Sequence, residues 1–178
     1  GIKTQVEVNC LSDVPGGGTG LGSSSSFTVA SLNAAFNYVG IQKSNAELAK
    51  IATEIEIDNL KKPIGVQDQY ISALGGFQFI EFKAKNIISN QNLLENSQRE
   101  LWRNFYLVYT DQSRNSESVL SEQKNSVSEN KNKLDKIVDL AYQAKKSVIS
   151  KNYDDLGPLL DEGWNIKKTL SSNISSKL

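Results

Sequence analysis

The chain of 178 residues carries 20 Lys and Arg against 20 Asp and Glu, one Cys, no His and no Met. That length suits one domain or two small ones, and formal neutrality provides no long-range field to gather nucleic acid or an anionic membrane surface. No apolar run is long enough to span a bilayer. Cys10 has no internal disulfide partner, and the missing His excludes Ser-His-Asp triads, Cys-His pairs and the usual zinc sets. The expected compartment is therefore the reducing cytoplasm, with neither nucleic acid nor membrane as partner. Chemistry is left to carboxylates, hydroxyls, backbone amides and a hard metal ion.

Residues 2–10 alternate, with Ile2, Thr4, Val6, Val8 and Cys10 on one face, and this period of two predicts a half-buried strand. Pro15 and five glycines between 16 and 22 then exclude regular structure. From about Ser24 the spacing is helical, with Phe27, Ala30, Ala34 and Val39 as the apolar stripe and Gly40 as the expected C-cap. Ser44 and Glu47 form an S-x-x-E capping box. It should open a second helix through Leu48, Ile51, Ala52 and Ile55 that stops before Pro63. Residues 64–77 are mixed, and 77–82 (FQFIEF) read as a strand. The Asn-rich stretch from Lys83 to Arg99 is either a boundary between two lobes or a long hairpin loop. Residues 101–110 (LWRNFYLVYT) alternate as a strand. The polar run 121–133 reads as a solvated helix or a linker. Beyond it, Leu134, Ile137, Val138, Ala141, Tyr142 and Val148, then Leu156 to Leu170, follow helical spacing. Trp102 and Trp164 are expected to pack in a core or between lobes.

A strand, a glycine-rich turn and a helix opening in serines together have the layout of an anion site. The first amides of a helix lack internal partners, and the helix dipole puts partial positive charge there. Glycines let the backbone approach phosphate oxygens closely, while the hydroxyls of Ser23 to Ser26 add donors and a possible Mg²⁺ ligand. A flexible Gly/Ser linker is the competing reading. It fits poorly between an alternating strand and an apolar-striped helix. Residues 17–24 have the outline of a Walker A loop, but Ser23 stands where the lysine belongs. A dinucleotide fingerprint starting at Gly18 fails on the same Ser23.

Residues 15–34 (PGGGTGLGSSSSFTVASLNA) resemble the second signature of the GHMP small-molecule kinases, P-x-x-x-G-L-G-S-S-[AS]. Residues 54–60 (EIEIDNL), 61–82 (KKPIGVQDQYISALGGFQFIEF), 107–114 (LVYTDQSR) and 161–175 are similar to the sugar-kinase branch that includes D-glycero-D-manno-heptose 7-phosphate kinases. The resemblance implies an α+β, two-lobed fold. Residues 1–88 would be a mixed α/β N-terminal lobe without its first strands, and 89–178 part of a mainly helical C-terminal lobe with a ferredoxin-like sheet. The family's N-terminal segment and third glycine motif are not seen. With Gly1 at the start and no Met, this leads to the expectation that the sequence is an internal piece of a longer protein.

The resemblance also implies roles. Gly17, Gly18, Thr19, Gly20, Leu21, Gly22, Ser23, Ser24 and Ser25 would cradle the phosphates of ATP. Ser24 and Glu56 would hold Mg²⁺; by residue type alone Glu54 and Asp58 are equally eligible. Asp68, in VQDQY, would be the catalytic aspartate, accepting the proton of a sugar hydroxyl or aligning it. Gly75 and Gly76 either admit the sugar closely or shape a turn. Ser113 and Arg114 would meet a phosphate already on the substrate, an arginine fork being suited to that task, or else lie in a solvated loop. The implied activity is transfer of the γ-phosphoryl of ATP to a sugar hydroxyl, the anomeric hydroxyl of a heptose 7-phosphate being the expected acceptor. The alternatives are a fucose- or galactose-type kinase and a non-catalytic ligand-binding relative. Oligomeric state is not legible.

Overall fold

A computed structural model describes residues 5–13, 20–83, 87–93, 98–108, 120, 126–171 and 174. The chain divides into two compact units. The first comprises Gly1–Gly75 with Thr110–Glu117, and the second Gly76–Tyr109 with Ser118–Leu178. The division falls after Gly75, and the Asn-rich stretch that follows holds a strand. The whole is α+β.

In the first unit, helix α1 spans Ser23–Tyr38 and ends at Gly40 (φ 73°). There the Ile41 N–H reaches back to Phe36 O at 2.9 Å and the Gly40 N–H to Asn37 O at 3.0 Å, satisfying carbonyls that the helix end leaves open. Helix α2, Asn45–Thr53, opens in the expected capping box, with Ser44 Oγ accepting from the Glu47 N–H and Glu47 accepting from the Ser44 N–H. The hydrogen bond from Lys43, followed by those from Ser44, holds the Glu47 carboxyl down at about 2. The helical run continues through Ile55 as expected, but its hydrogen bonding changes after Thr53. It widens into a π-type run, Glu54–Asn59, before the chain leaves it ahead of Pro63. Such wide turns are uncommon and concentrate at functional sites. Helix α3, Gln67–Leu74, follows and packs with α1 and α2.

Two expectations fail in this unit. Residues 5–10 form no strand, and Val6, Val8 and Leu11 are exposed: alternation supplies a face, but a strand also needs a paired neighbour, and 5–10 pair with no described strand. In α1 the anticipated stripe of Phe27, Ala30, Ala34 and Val39 is exposed, and Phe27, Ala30 and Ala34 line an open groove beside residues 5–12. The face that α1 buries carries Ser25 and Val29, because α2 and α3 receive it with a carboxylate as well as with Leu48, Ala49 and Ala52.

In the second unit, β1 (Gln78–Lys83) and β2 (Ile87–Asn92) form an antiparallel hairpin with Gln78 opposite Asn92 and Lys83 opposite Ile87. Helix α4 spans Gln98–Trp102, α5 Lys131–Ile149 and α6 Leu156–Lys167, the last entered through a tight turn at Tyr153–Asp155. The expected strand 101–110 is absent from its described part. Leu101 and Trp102 end α4, and residues 105–108 are irregular, leaving Tyr109 and Thr110 outside the described residues. Leu101 is wholly buried against Val148 and Leu156, which requires the helical turn to aim it inward. Trp102 and Trp164 are 56% and 42% exposed and are not core residues. No helix among the described residues is long and apolar enough to cross a membrane.

Candidate functional site

Among the described residues no side chain caps the start of helix α1. Its N-cap is Gly22, in the left-handed region (φ 67°, ψ 22°), where a side chain is strained and glycine is not. Among the described residues the first bond of the helix runs from the Ser26 N–H to Gly22 O at 3.0 Å, and the amides ahead of it are those that a helix start leaves open. At 16 residues, α1 is long enough for a developed dipole at this end.

The serines divide by direction. Ser24 Oγ donates to Glu56 Oε1 at 2.9 Å and Ser25 Oγ donates to Glu56 Oε2 at 2.7 Å. Ser26 Oγ faces Ser72 Oγ of α3 at 3.1 Å, and Ser23 lines the groove beside residues 5–12. Glu56, on the π-type run, is fully buried. A π-type run shifts the side-chain phase relative to an α-helix. Glu56 lies on its inward side, while Glu54 and Asp58, the other two acids eligible by residue type, are exposed.

Two further groups complete the cluster. Lys62 Nζ lies 3.1 Å from Glu56 Oε1 and 2.9 Å from Ser24 Oγ, and Gln69 Nε2 donates to Glu56 Oε2 at 2.6 Å. Each carboxylate oxygen thus accepts twice. Burial pushes the Glu56 carboxyl up, but the bonds from Ser25, Gln69, Lys62 and Ser24 outweigh it, and the group titrates below its ordinary value. Sequence reasoning missed Lys62 and Gln69. The available signals were the pair Lys61–Lys62 ahead of Pro63 and the second glutamine of VQDQY, but neither spacing announces a partner.

Asp68 sits in the first turn of α3. Its carboxyl lies against the Gly22 α-carbon: a Cβ added there would be 3.5 Å from Asp68 Cγ and 3.6 Å from Oδ2. None of the described residues hydrogen-bonds this carboxylate, which faces the mouth of α1. Structure therefore brings together Gly22, Ser24, Ser25, Glu56 and Asp68, with Gly20 (φ 71°) and Leu21 leading in. Gly17, Gly18, Thr19, Ser113 and Arg114 lie outside the described residues. Gly75 (φ 66°) ends α3 and Gly76 (φ 69°) starts the approach to β1 with its α-carbon close to the Asn92 side chain, so both have the conformation of a turn.

For a metal ion, the chain offers a hydroxyl and a buried carboxylate, both hard oxygen donors. Among the described residues no three of His, Cys, Asp and Glu gather to form an all-protein cage. Such a set suits magnesium, which keeps water and phosphate oxygens as its other ligands. Two observations agree. The Lys62 ammonium already stands as a cation on Ser24 and Glu56. In addition, Gln69 Oε1, buried beside that carboxylate, is an acceptor with no partner among the described residues, as the hydrogen of a bound water would require.

Residues 1–76 match the family described as GHMP kinases N terminal domain. Over 173 residues, 95% of this chain and 51% of the relative, the chain is 31% identical to the D-glycero-alpha-D-manno-heptose 7-phosphate kinase of Campylobacter jejuni. Over 76 residues, 43% of this chain and 22% of the relative, it is 37% identical to the mevalonate kinase of Thermococcus onnurineus. The chain therefore spans about half the length of the first relative and less of the second.

Proposed function

We propose, from the premise that residues 1–76 belong to the GHMP kinase N-terminal domain family, that the full-length protein transfers the γ-phosphoryl group of ATP to a sugar hydroxyl. The acceptor we favour is the anomeric hydroxyl of a heptose 7-phosphate, in keeping with the name of the Campylobacter relative. The observation that carries the reading is the meeting of three things at one helix end: an N-terminus at Gly22 that no described side chain caps, the Ser24 hydroxyl on the buried Glu56 carboxylate, and the Asp68 carboxylate against Gly22.

Phosphoryl transfer requires mostly positioning and charge neutralisation. The amides from Gly20 to Ser25 would take phosphate oxygens, Gly22 allowing them within hydrogen-bonding distance. Ser24 and Glu56 would hold Mg²⁺, whose role when bound is to bridge and neutralise phosphate oxygens. Asp68 would receive or align the acceptor hydroxyl beside that anion. Gly17, Gly18 and Thr19 would extend the cradle. Ser113 and Arg114 would meet the substrate's own phosphate, and Gly75 and Gly76 would border the sugar.

Full-length protein supplied with Mg²⁺ and ATP should release ADP in the presence of a heptose 7-phosphate. Fucose and galactose are the controls for the other sugar-kinase types. ADP formed only with one of those would move the substrate and keep the kinase. ATP binding without turnover on any sugar would identify a silent relative instead.

A further inference from the structure

The two oxygen atoms assigned to a metal already carry a cation. Lys62 Nζ is 2.9 Å from Ser24 Oγ and 3.1 Å from Glu56 Oε1. We propose that Lys62 is a resident counter-ion that holds the metal donors in the nucleotide-free protein and is displaced when metal and polyphosphate arrive together. The proposal rests on the reading of Ser24 and Glu56 as the cation's donors.

The backbone is built to deliver this lysine. After the π-type run, Lys61 adopts a left-handed conformation (φ 54°), unusual for a residue with a side chain. The chain hooks back there, and the Lys62 N–H donates to Glu56 O at 3.0 Å. Pro63 then biases Lys62 toward extended backbone, so the residue leaves the hook with its side chain over the carboxylate six positions earlier. Strain of this kind persists only where surrounding contacts hold it.

Charge explains the need. Glu56 is wholly buried, and an ionised carboxylate in that setting is costly without a paired cation. Two hydroxyls and an amide supply donors but no charge; Lys62 supplies it. Its side chain stays 28% exposed, so the ammonium has a way out to solvent along a flexible stem.

Occupancy is exclusive in the sense that matters. An ammonium and a divalent cation on the same hydroxyl and carboxylate oxygen repel, so metal alone must evict Lys62 with nothing to receive it. When the metal arrives with a polyphosphate, the displaced ammonium has an anion to pair with. Metal and nucleotide binding are thereby coupled, each strengthening the other by the same factor.

The test uses the metal alone on full-length protein, by thermal melting in EDTA and in millimolar Mg²⁺ without nucleotide. Wild type should melt at the same temperature in both. Lys62→Met should melt several degrees lower in EDTA and recover most of that loss in Mg²⁺, while Lys62→Arg should behave as wild type. Should Lys62→Met not fold, Lys62→Gln carries the same comparison. A Lys62→Met protein that melts like wild type in EDTA overturns the proposal, as does a loss that Mg²⁺ does not repair. ATP binding by wild type, measured separately by calorimetry, judges the kinase reading: its absence would count against that reading while the metal-rescue result still decides the role of Lys62.

Discussion

Glu56→Gln in the full-length protein is expected to be both destabilised and unable to use Mg²⁺, although the exchange changes neither size nor shape. In the native cluster both carboxylate oxygens only accept: Oε1 from Ser24 and Lys62, Oε2 from Ser25 and Gln69. An amide must turn an NH₂ group toward one of those pairs. Hydroxyls can rotate to accept and the Gln69 amide can turn its oxygen inward, but the Lys62 ammonium can only donate, so it either meets the new NH₂ or keeps an acceptor that has lost its charge. Leaving a buried polar group unsatisfied costs about 1–3 kcal/mol, and more where a charge is involved. For a protein of 150–250 residues each 1 kcal/mol lowers Tm by roughly 2–4 °C. Loss of the negative charge should also weaken Mg²⁺-dependent nucleotide binding at least about tenfold, as loss of a charge-assisted bond implies. Chemical denaturation and calorimetry with and without Mg²⁺ check the two parts separately. Wild-type stability in the variant would mean that Glu56 does not hold the cluster.

Asp68→Asn is expected to act on turnover alone. Its side chain makes no hydrogen bond to a described residue, so the amide breaks nothing that stabilises α3. What disappears is an anionic acceptor against Gly22, where the acceptor hydroxyl would be brought to the phosphate. General-base or aligning groups of this kind contribute roughly 10²–10⁴-fold, so kcat should fall by about that factor while nucleotide affinity and Tm stay near wild type. Turnover unchanged by the substitution would remove Asp68 from the chemistry, whatever its position.

Much of the first unit was legible because its signals are local. The serine run and Gly40 bracket α1, Ser44 and Glu47 open α2, and each element can be read from a few adjacent residues. The convergence of Ser24, Glu56 and Asp68 was legible only through family resemblance, since spacings of 32 and 12 residues carry no geometric information by themselves. Where burial is shared with a charge, hydrophobic pattern misleads: α1 turns Ser25 inward to meet Glu56 and leaves Phe27 exposed. Alternation at 2–10 and 101–110 pointed to strands, but alternation does not reveal whether a partner edge exists or whether Leu101 will be claimed by a helical turn. Lys62 was invisible for a different reason. Its place depends on the positive φ of Lys61, a conformation that lysine does not advertise.

The most direct measurement is the change in amide NMR shifts of the full-length protein on adding ATP with Mg²⁺. If the start of α1 receives the polyphosphate, the amides of Gly20 to Ser25 should move together, with Glu56 and Lys62 responding to the metal, while those of α5 around Leu140 stay in place. Amides at 20–25 that remain still while ATP binds elsewhere would contradict the account.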